Sequence, residues 1–482
     1  MQGKIVGIFA FLVLTGCSRT AQDVLNDTAA SMGAGQLQTI RYSGNGFSFA
    51  IGQSFHPQEP WPKFNTTSYT RTLNYETASL REETVQTQFE IPPRGGGRQP
   101  IVGERRQVSM VSGNYAWSVA GEEAVPAPGV AEERGLEIWL TPHGVIKAAL
   151  QNNAVLEPSS GGNTTVVSFQ VGGKFPVKAT INAQNLVEKV ETKIANPVLG
   201  DMAVEISYSD YQDHQGVKFP ARIVQRTGEH PSLEITVSSV EANPGLEVEI
   251  PENVRTARIA PVRVESQEIA NGVWFVAGGS HHSVAVEFQD HVVIVEGPQN
   301  EERSEAVIAE VKNRIPGKPI RYVVNTHHHF DHSGGLRTYV AEGATIVTHE
   351  INQPFYDQTF RATHTLRSDK LSQSLVPPKF QTVADKHVLS DSTRTLEIHL
   401  MQGSGHNGGI LMAYLPTERL LIEADAFSPN QPGLPPPAEV DLLAINLLEN
   451  IERLGLRVDR ILPIHGQVAP MADLRRAARK SS

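Results

Sequence analysis

The sequence predicts two domains of different construction, a curved antiparallel β domain followed by a layered α/β domain. Three observations carry that expectation. Strand-like alternation dominates residues 37–258, strands alternate with amphipathic helices after residue 262, and thirteen of the 17 histidines lie beyond residue 260. Alternating apolar and polar residues mark a half-buried strand, whereas strand–helix alternation marks a sheet covered by helices. A chain of 482 residues also exceeds what one hydrophobic core ordinarily supports.

The first sixteen residues of "MQGKIVGIFAFLVLTGC" place Lys4 before an apolar run from Ile5 to Leu14, which is the form of a signal peptide and too short to span a bilayer. The closing "LTGC" resembles the bacterial lipobox. That resemblance implies lipidation of Cys17 and an exported lipoprotein held on a membrane surface, periplasmic or facing outward. Each buried acyl CH₂ would contribute ~0.8 kcal/mol to the anchor. Residues 17–36 then read as anchor and tether, although "AQDVLNDTAASM" carries a helical pattern that could open the next domain. Cys17 is the one cysteine, so the mature chain tolerates an oxidising compartment without disulfides.

Within 37–258, stretches such as "TTVVSFQVGG", "FPVKATINA", "MAVEISYSDY" and "SLEITVSSVEA" alternate and then break at Gly, Asn, Asp or Pro. They predict one large antiparallel sheet. "GVKFPARIVQ" followed by "SLEITVSSVEANPGLEVEIP" resembles the late strands of periplasmic lipoprotein carriers, which implies a half-barrel-like sheet. No catalytic constellation stands out here, so the expected role is structural or substrate-positioning, with an apolar-ligand pocket as the alternative. The 42 basic and 52 acidic residues leave a net charge of −10. With no basic patch, this argues against a nucleic-acid partner.

"PENVRTARIAPVRVES" marks the boundary near residue 260, and the second domain is read as 262–482. Its chemistry begins with "NTHHHFDHSGG", after the buried strand "IRYVV". In the loop, His327 and His329 can face one side while His328 faces away, and Asp331 and His332 open the next helix. Open α/β sheets place their sites at such carboxyl ends. Three later strand ends supply more donors: His406 in "GSGHNGG", Asp425 in "LLIEADAF" and His465 in "RILPIHG". A carboxylate ending an apolar strand needs a partner, and imidazole with carboxylate is a donor set for zinc.

Taken in order, "THHHFDHSGG", "GSGHNGG", "EADAF" and "PIHG" resemble the ligand motifs of the metallo-β-lactamase-fold hydrolases. The resemblance implies an αββα sandwich with a dinuclear site between its sheets. His327, His329 and His406 would bind one metal, Asp331, His332 and His465 the other, and Asp425 would bridge them. It implies two divalent ions, Zn²⁺ first, with Fe or Mn as alternatives. The implied reaction is hydrolysis of a small carbonyl substrate (ester, lactone or thioester) by a hydroxide shared between the metals, with Asp331 orienting it and moving a proton. Aspartate at 425, where β-lactamases of the family carry Cys or Ser, points away from β-lactams. β-Lactam hydrolysis, a mononuclear-iron oxygenase and a non-catalytic binding lipoprotein are the alternatives. Glu423 is expected to orient a ligand, His349 to be structural, and His281 and His282 to lie near the pocket mouth. Residues 351–380 and 428–441 are expected to wall the pocket.

Overall fold

The computed structural model describes residues 19–158, 162–374, 376–429 and 441–478; the signal segment and Cys17 lie outside them. The N-terminal half is a large antiparallel sheet with thirteen strands among the described residues. Strands adjacent in sequence pair except Glu123–Pro126 and Val155–Leu156, which form the two edges. The two halves of the meander join where the first strand, Thr39–Phe49, pairs with the last, His230–Ala242, with Ile40 opposite Ala242.

Helices Ala21–Met32, Ala131–Trp139 and Pro142–Gln151 cover this sheet. Val24, Leu25, Met32, Leu136, Ile138 and Val145 share one core with Ile40, Leu73, Phe219 and Ile235. The first helix begins at a capping box, in which the Thr20 hydroxyl accepts from Asp23 N while Asp23 accepts from Thr20 N. It stops at Gly33, whose φ of 70° and close approach to the Gly216 carbonyl exclude a side chain. The segment expected as tether is therefore, from Ala21, the first helix of the β domain, because its apolar face has a sheet to cover. The other two helices interrupt a stretch read as strands. Thr141 followed by Pro142 is the start signal of the second of them, and the Thr141 side chain accepts from Gly144 N.

The C-terminal half is layered as αββα. A seven-stranded sheet runs from Glu265–Ala270 to Lys379–Val383 and a six-stranded sheet from Lys386–Ser390 to Ala469–Pro470, counting described residues. Val284, Val293, Val295, Val324, Leu396, Ile422 and Leu462 fill the space between the sheets. Val307, Ile308 and Val311 of helix Glu301–Arg314 pack with Leu336 and Tyr339 on the outer face of the first sheet. Ala444, Leu447 and Ile451 of helix Leu442–Arg453 cover the second. Strands Val292–Val295, Ile320–Val324 and Thr345–His349 are parallel neighbours, as are Leu420–Glu423 and Arg460–Pro463. Their carboxyl ends gather at one rim of the sandwich. No helix among the described residues is long and apolar enough to cross a membrane.

His143 is fully buried in the N-terminal core, with Nε2 3.1 Å from the Met32 carbonyl and its ring parallel to Phe219. Burial pushes its pKa down to about 4. Unfolded histidine titrates near ~6.5, so as pH falls the unfolded chain takes up the proton first, and stability declines between that value and the folded one. The decline should total about 3 kcal/mol, fully present above pH ~6.5 and lost at pH ~4. A His143→Gln variant should lack this part of the pH dependence when urea midpoints of the N-terminal transition are compared across that window. Equal slopes in both proteins would contradict the assignment.

Candidate metal centre

The strand Ile320–Val324 ends in a loop that Asn325 organises from below. Its Nδ2 donates to the His327 carbonyl at 2.7 Å, and its Oδ1 accepts from Tyr356 OH at 2.6 Å and Thr348 Oγ1 at 3.2 Å. Held this way, His327 and His329 face each other, Nε2 to Nδ1, at 3.0 Å. His406, on the turn after Thr395–Leu400, brings Nε2 to 3.3 Å from His327 Nε2. His332, in the short helix Phe330–Ser333, and His465, after Arg460–Pro463, meet Nε2 to Nε2 at 3.2 Å. Asp425 stands between the two sets. Its Oδ2 lies 2.7 Å from His406 Nε2, 3.2 Å from His332 Nε2 and 3.5 Å from His327 Nε2, while Oδ1 lies 2.7 Å from His465 Nε2.

All seven residues singled out from sequence thus converge. Donor atoms of His327, His329, His406 and Asp425 form one group able to hold a cation, and Asp331, His332 and His465 form a second together with His281. Imidazole nitrogens that face one another at 3.0–3.3 Å cannot all donate, and lone pairs directed at one point are what a cation accepts. The donor set fits divalent metal. The Asp425 backbone is held at φ 59°, a left-handed conformation that costs roughly 1–3 kcal/mol for a non-glycine residue and clusters at functional sites.

Burial is graded across the centre. His327, His329 and His332 are fully buried, whereas Asp331 and His465 are only partly covered, so the second group faces the opening. Burial pushes His327 down to about 4, and it holds His329 well below the usual histidine range, so both present neutral rings. Burial works against the charge on His332 too, but Asp425 and Glu296 beside it raise its pKa well above the usual value. Burial alone would raise Asp425 and Asp331. The charges of His332 and His406 hold Asp425 well below the carboxylate range, and the His281 contact with the charge of His332 does the same for Asp331.

One neighbour, Glu296, was not singled out from the sequence, and three others were. Glu296 places Oε2 3.1 Å from His332 Nδ1 and also accepts from the Thr326 hydroxyl, fixing the ring from behind. Its signal is "VVIVEGP", an acid ending an apolar strand as in "LLIEAD". Glu423, expected to orient a ligand, braces the Asp425 turn, Oε2 accepting from Ala426 N at 3.0 Å and Phe427 N at 3.2 Å. Burial pushes Glu423 up to about 8. His328 faces away from the centre, Nε2 toward Ser54 Oγ at 3.1 Å. His349 Nδ1 accepts from Ile351 N, as a structural residue would.

The largest departure from expectation is the wall of the site, which comes from the β domain. The Ser54 carbonyl lies 2.9 Å from His329 Nε2, Gln53 Nε2 donates to Asp331 Oδ1 at 2.8 Å, and Phe330 N donates to the Gly52 carbonyl. Gln53 Oε1 in turn accepts from Gly97 N at 3.1 Å. A Cβ on Gly96 would meet Gln53 Oε1 at 2.0 Å and His329 Cε1 at 2.9 Å, so the "RGGG" stretch must be bare to lie over the histidines. Residues 351–380, expected as a wall, mostly do other work. Tyr356 and Phe360 pack under the first sheet, and Thr365 N and Leu366 N bond Asp201 of the β domain. Phe355 approaches the site, its ring 5.8 Å from that of His328. Of the second expected wall, 428–441, residues 430–440 lie outside the described residues.

The αββα sandwich and the histidine and aspartate groups at its rim define an α/β domain with a candidate metal centre. Residues 276–467 match the family model described as the metallo-beta-lactamase superfamily, and the C-terminal half has that fold. The 2,4-dinitroanisole O-demethylase subunit alpha of Nocardioides sp. (strain JS1661) is 23% identical over 207 residues, 42% of this chain and 57% of that protein, so the match spans less than two thirds of that relative. A metallo-beta-lactamase from Pontibacter korlensis is similar at 18% identity, covering 44% of this chain and 96% of its own, with a TM-score of 0.35. The FIM-1 metallo-beta-lactamase of Pseudomonas aeruginosa in its mono-zinc form is similar at 21% identity, covering 45% and 94%, with a TM-score of 0.35.

Partners that orient metal ligands typically contribute about 10- to 100-fold to metal affinity or activity. Gln53→Ala should therefore weaken divalent-metal binding by about that factor, read by competition with a chromophoric chelator. Unchanged affinity in a folded variant would detach the β domain from the centre.

Proposed function

We propose that this protein is a metal-dependent hydrolase of a small carbonyl compound, an ester, lactone or thioester, working with two divalent ions. The observation that carries the reading is Asp425, one carboxylate with both oxygens within 2.7 Å of an imidazole from each triad. His327, His329 and His406 would hold one ion, Asp331, His332 and His465 the other, and Asp425 both. Bound ions of this kind supply Lewis acidity and make hydroxide available near neutral pH.

The chain's own residues do the rest. The neutral, buried His327 and His329 keep their lone pairs for ligation, and Glu296 holds His332 in one ring orientation. Asp331, a partly exposed acid at the rim, stays ionised, which suits it to accept a hydrogen bond from the attacking oxygen and orient it. Gln53 fixes the Asp331 rotamer from above, and the 52–56 loop keeps water off the buried triad. Nitrogen and carboxylate donors favour zinc, with iron or manganese as the alternatives.

The test is turnover by the zinc-loaded full chain against a panel of esters, lactones, thioesters and β-lactams. An aryl methyl ether belongs in the panel because of the demethylase relative. One carbonyl class should be hydrolysed, chelator should abolish the activity, and Asp331→Asn should lower kcat/KM by roughly 10²- to 10⁴-fold. Oxygen uptake by a one-iron chain without hydrolysis of any panel member would contradict the proposal.

A further inference from the structure

We infer that His281 is an additional protein ligand of the second metal position, an inference that rests on the two-ion reading above. His281 precedes strand Ser283–Glu287 and belongs to none of the four motifs that announce the site. Its side chain is nevertheless aimed into it. The ring lies edge-on to His465 at 4.2 Å between centroids and 5.2 Å from His332. Its Nε2 is 3.3 Å from Asp331 Oδ2, and that same oxygen is 3.8 Å from His332 Nε2.

The spacing of the donor atoms is compatible with ligation. Two metal–donor bonds of about 2.1 Å meeting at 90–110° separate their donor atoms by roughly 3.0–3.4 Å. The His465–His332 pair at 3.2 Å satisfies this, and so does His281–Asp331 at 3.3 Å. One donor atom each from His281, Asp331, His332 and His465 lies within 4.8 Å of all the others, a grouping that could hold a single ion.

The far side of the ring is compatible with ligation. Nδ1 sits 2.9 Å from Ser280 Oγ, and the Gln299 amide nitrogen, 3.3 Å from both, has that hydroxyl oxygen as its acceptor. A hydroxyl accepts Nδ1–H, which leaves Nε2 the lone pair a metal needs; this tautomer is the one the proposal requires. The turn carrying the ring is built rather than loose. The buried Arg303 guanidinium bonds the carbonyls of Gly278 and His281, and a Cβ on Gly278 would collide with it. The Ser280 carbonyl of the same turn lies 2.9 Å from His465 Nδ1. One short turn thus supplies one donor and orients another.

The consequence is an unequal pair of sites. The first position has three imidazoles and Asp425, which suits a four-coordinate ion such as zinc. The second has three imidazoles, Asp331 and Asp425, which suits an ion that accepts five or six ligands.

Stepwise reconstitution of the full chain with Co²⁺, followed by visible absorption and elemental analysis, tests this. The wild-type chain should take up two ions, the second with the weak bands of five- or six-coordinate cobalt. In His281→Ala the second ion should bind at least about 100-fold more weakly, beyond what loss of an orienting partner costs, and its bands should shift toward lower coordination. His281→Gln keeps a hydrogen-bond donor for Asp331 and should not restore the spectrum. Second-ion bands unchanged in His281→Ala, or wild-type affinity and spectrum in His281→Gln, would overturn the ligand role while leaving two ions in place. A wild-type chain that takes up no second ion would overturn both this inference and the reading on which it rests.

Discussion

A single buried carboxylate sets the terms for the rest of this structure. Asp425 is largely enclosed by imidazoles from three other strand ends, and isolated charges in such surroundings cost several kcal/mol each unless something compensates them. Protonating the histidines would compensate it, but burial opposes protonation of His327 and His329, which sit at the bottom of the site. His332, clamped between Asp425 and Glu296, has surroundings that favour a positive ring. The centre therefore carries more anionic and lone-pair character than its own protons can balance. Divalent ions resolve that imbalance, which ties the electrostatics directly to the proposed chemistry. The left-handed backbone at Asp425, held by Glu423 through two amide bonds, is a local cost that the surrounding sandwich over-determines.

The β domain shares in that constraint. Its loop 52–56 supplies a carbonyl to His329 and an amide to Asp331, one contact to each proposed metal position. Backbone bonds from Gly95 N to the Gly405 carbonyl and from Gly408 N to the Phe55 carbonyl stitch the same loops to the His406 turn. A protein built this way has its candidate metal-binding groups on one domain and part of their orientation on another. On the proposed reading, the role expected for the β domain, structural or substrate-positioning, narrows to closing the site and aiming its ligands.

What was legible in the sequence follows from how local each signal is. His327, His329, Asp331 and His332 occupy one loop and one helical turn, and His406, Asp425 and His465 each end an apolar strand. Such residues advertise themselves because a polar group there has no local reason to exist. Glu296 obeys the same rule and was readable in "VVIVEGP". Gln53, Ser54 and Gly96 were not, since their meaning lies in contacts with residues more than 200 positions away and no periodicity records that. The helix Ala21–Met32 was ambiguous for a related reason. Its amphipathic face is visible, but whether a sheet exists for it to cover is a tertiary fact. The aromatic segment 351–380 looked like a pocket wall by composition, and the core under the first sheet claimed it instead.

The most direct test of the central claim is anomalous diffraction from crystals of the zinc-loaded full chain, collected on both sides of the zinc edge. The account predicts two peaks about 3.5–4 Å apart on either side of the Asp425 carboxylate, one facing His327, His329 and His406 and the other facing Asp331, His332 and His465. A single peak, or zinc bound away from Asp425, would contradict it.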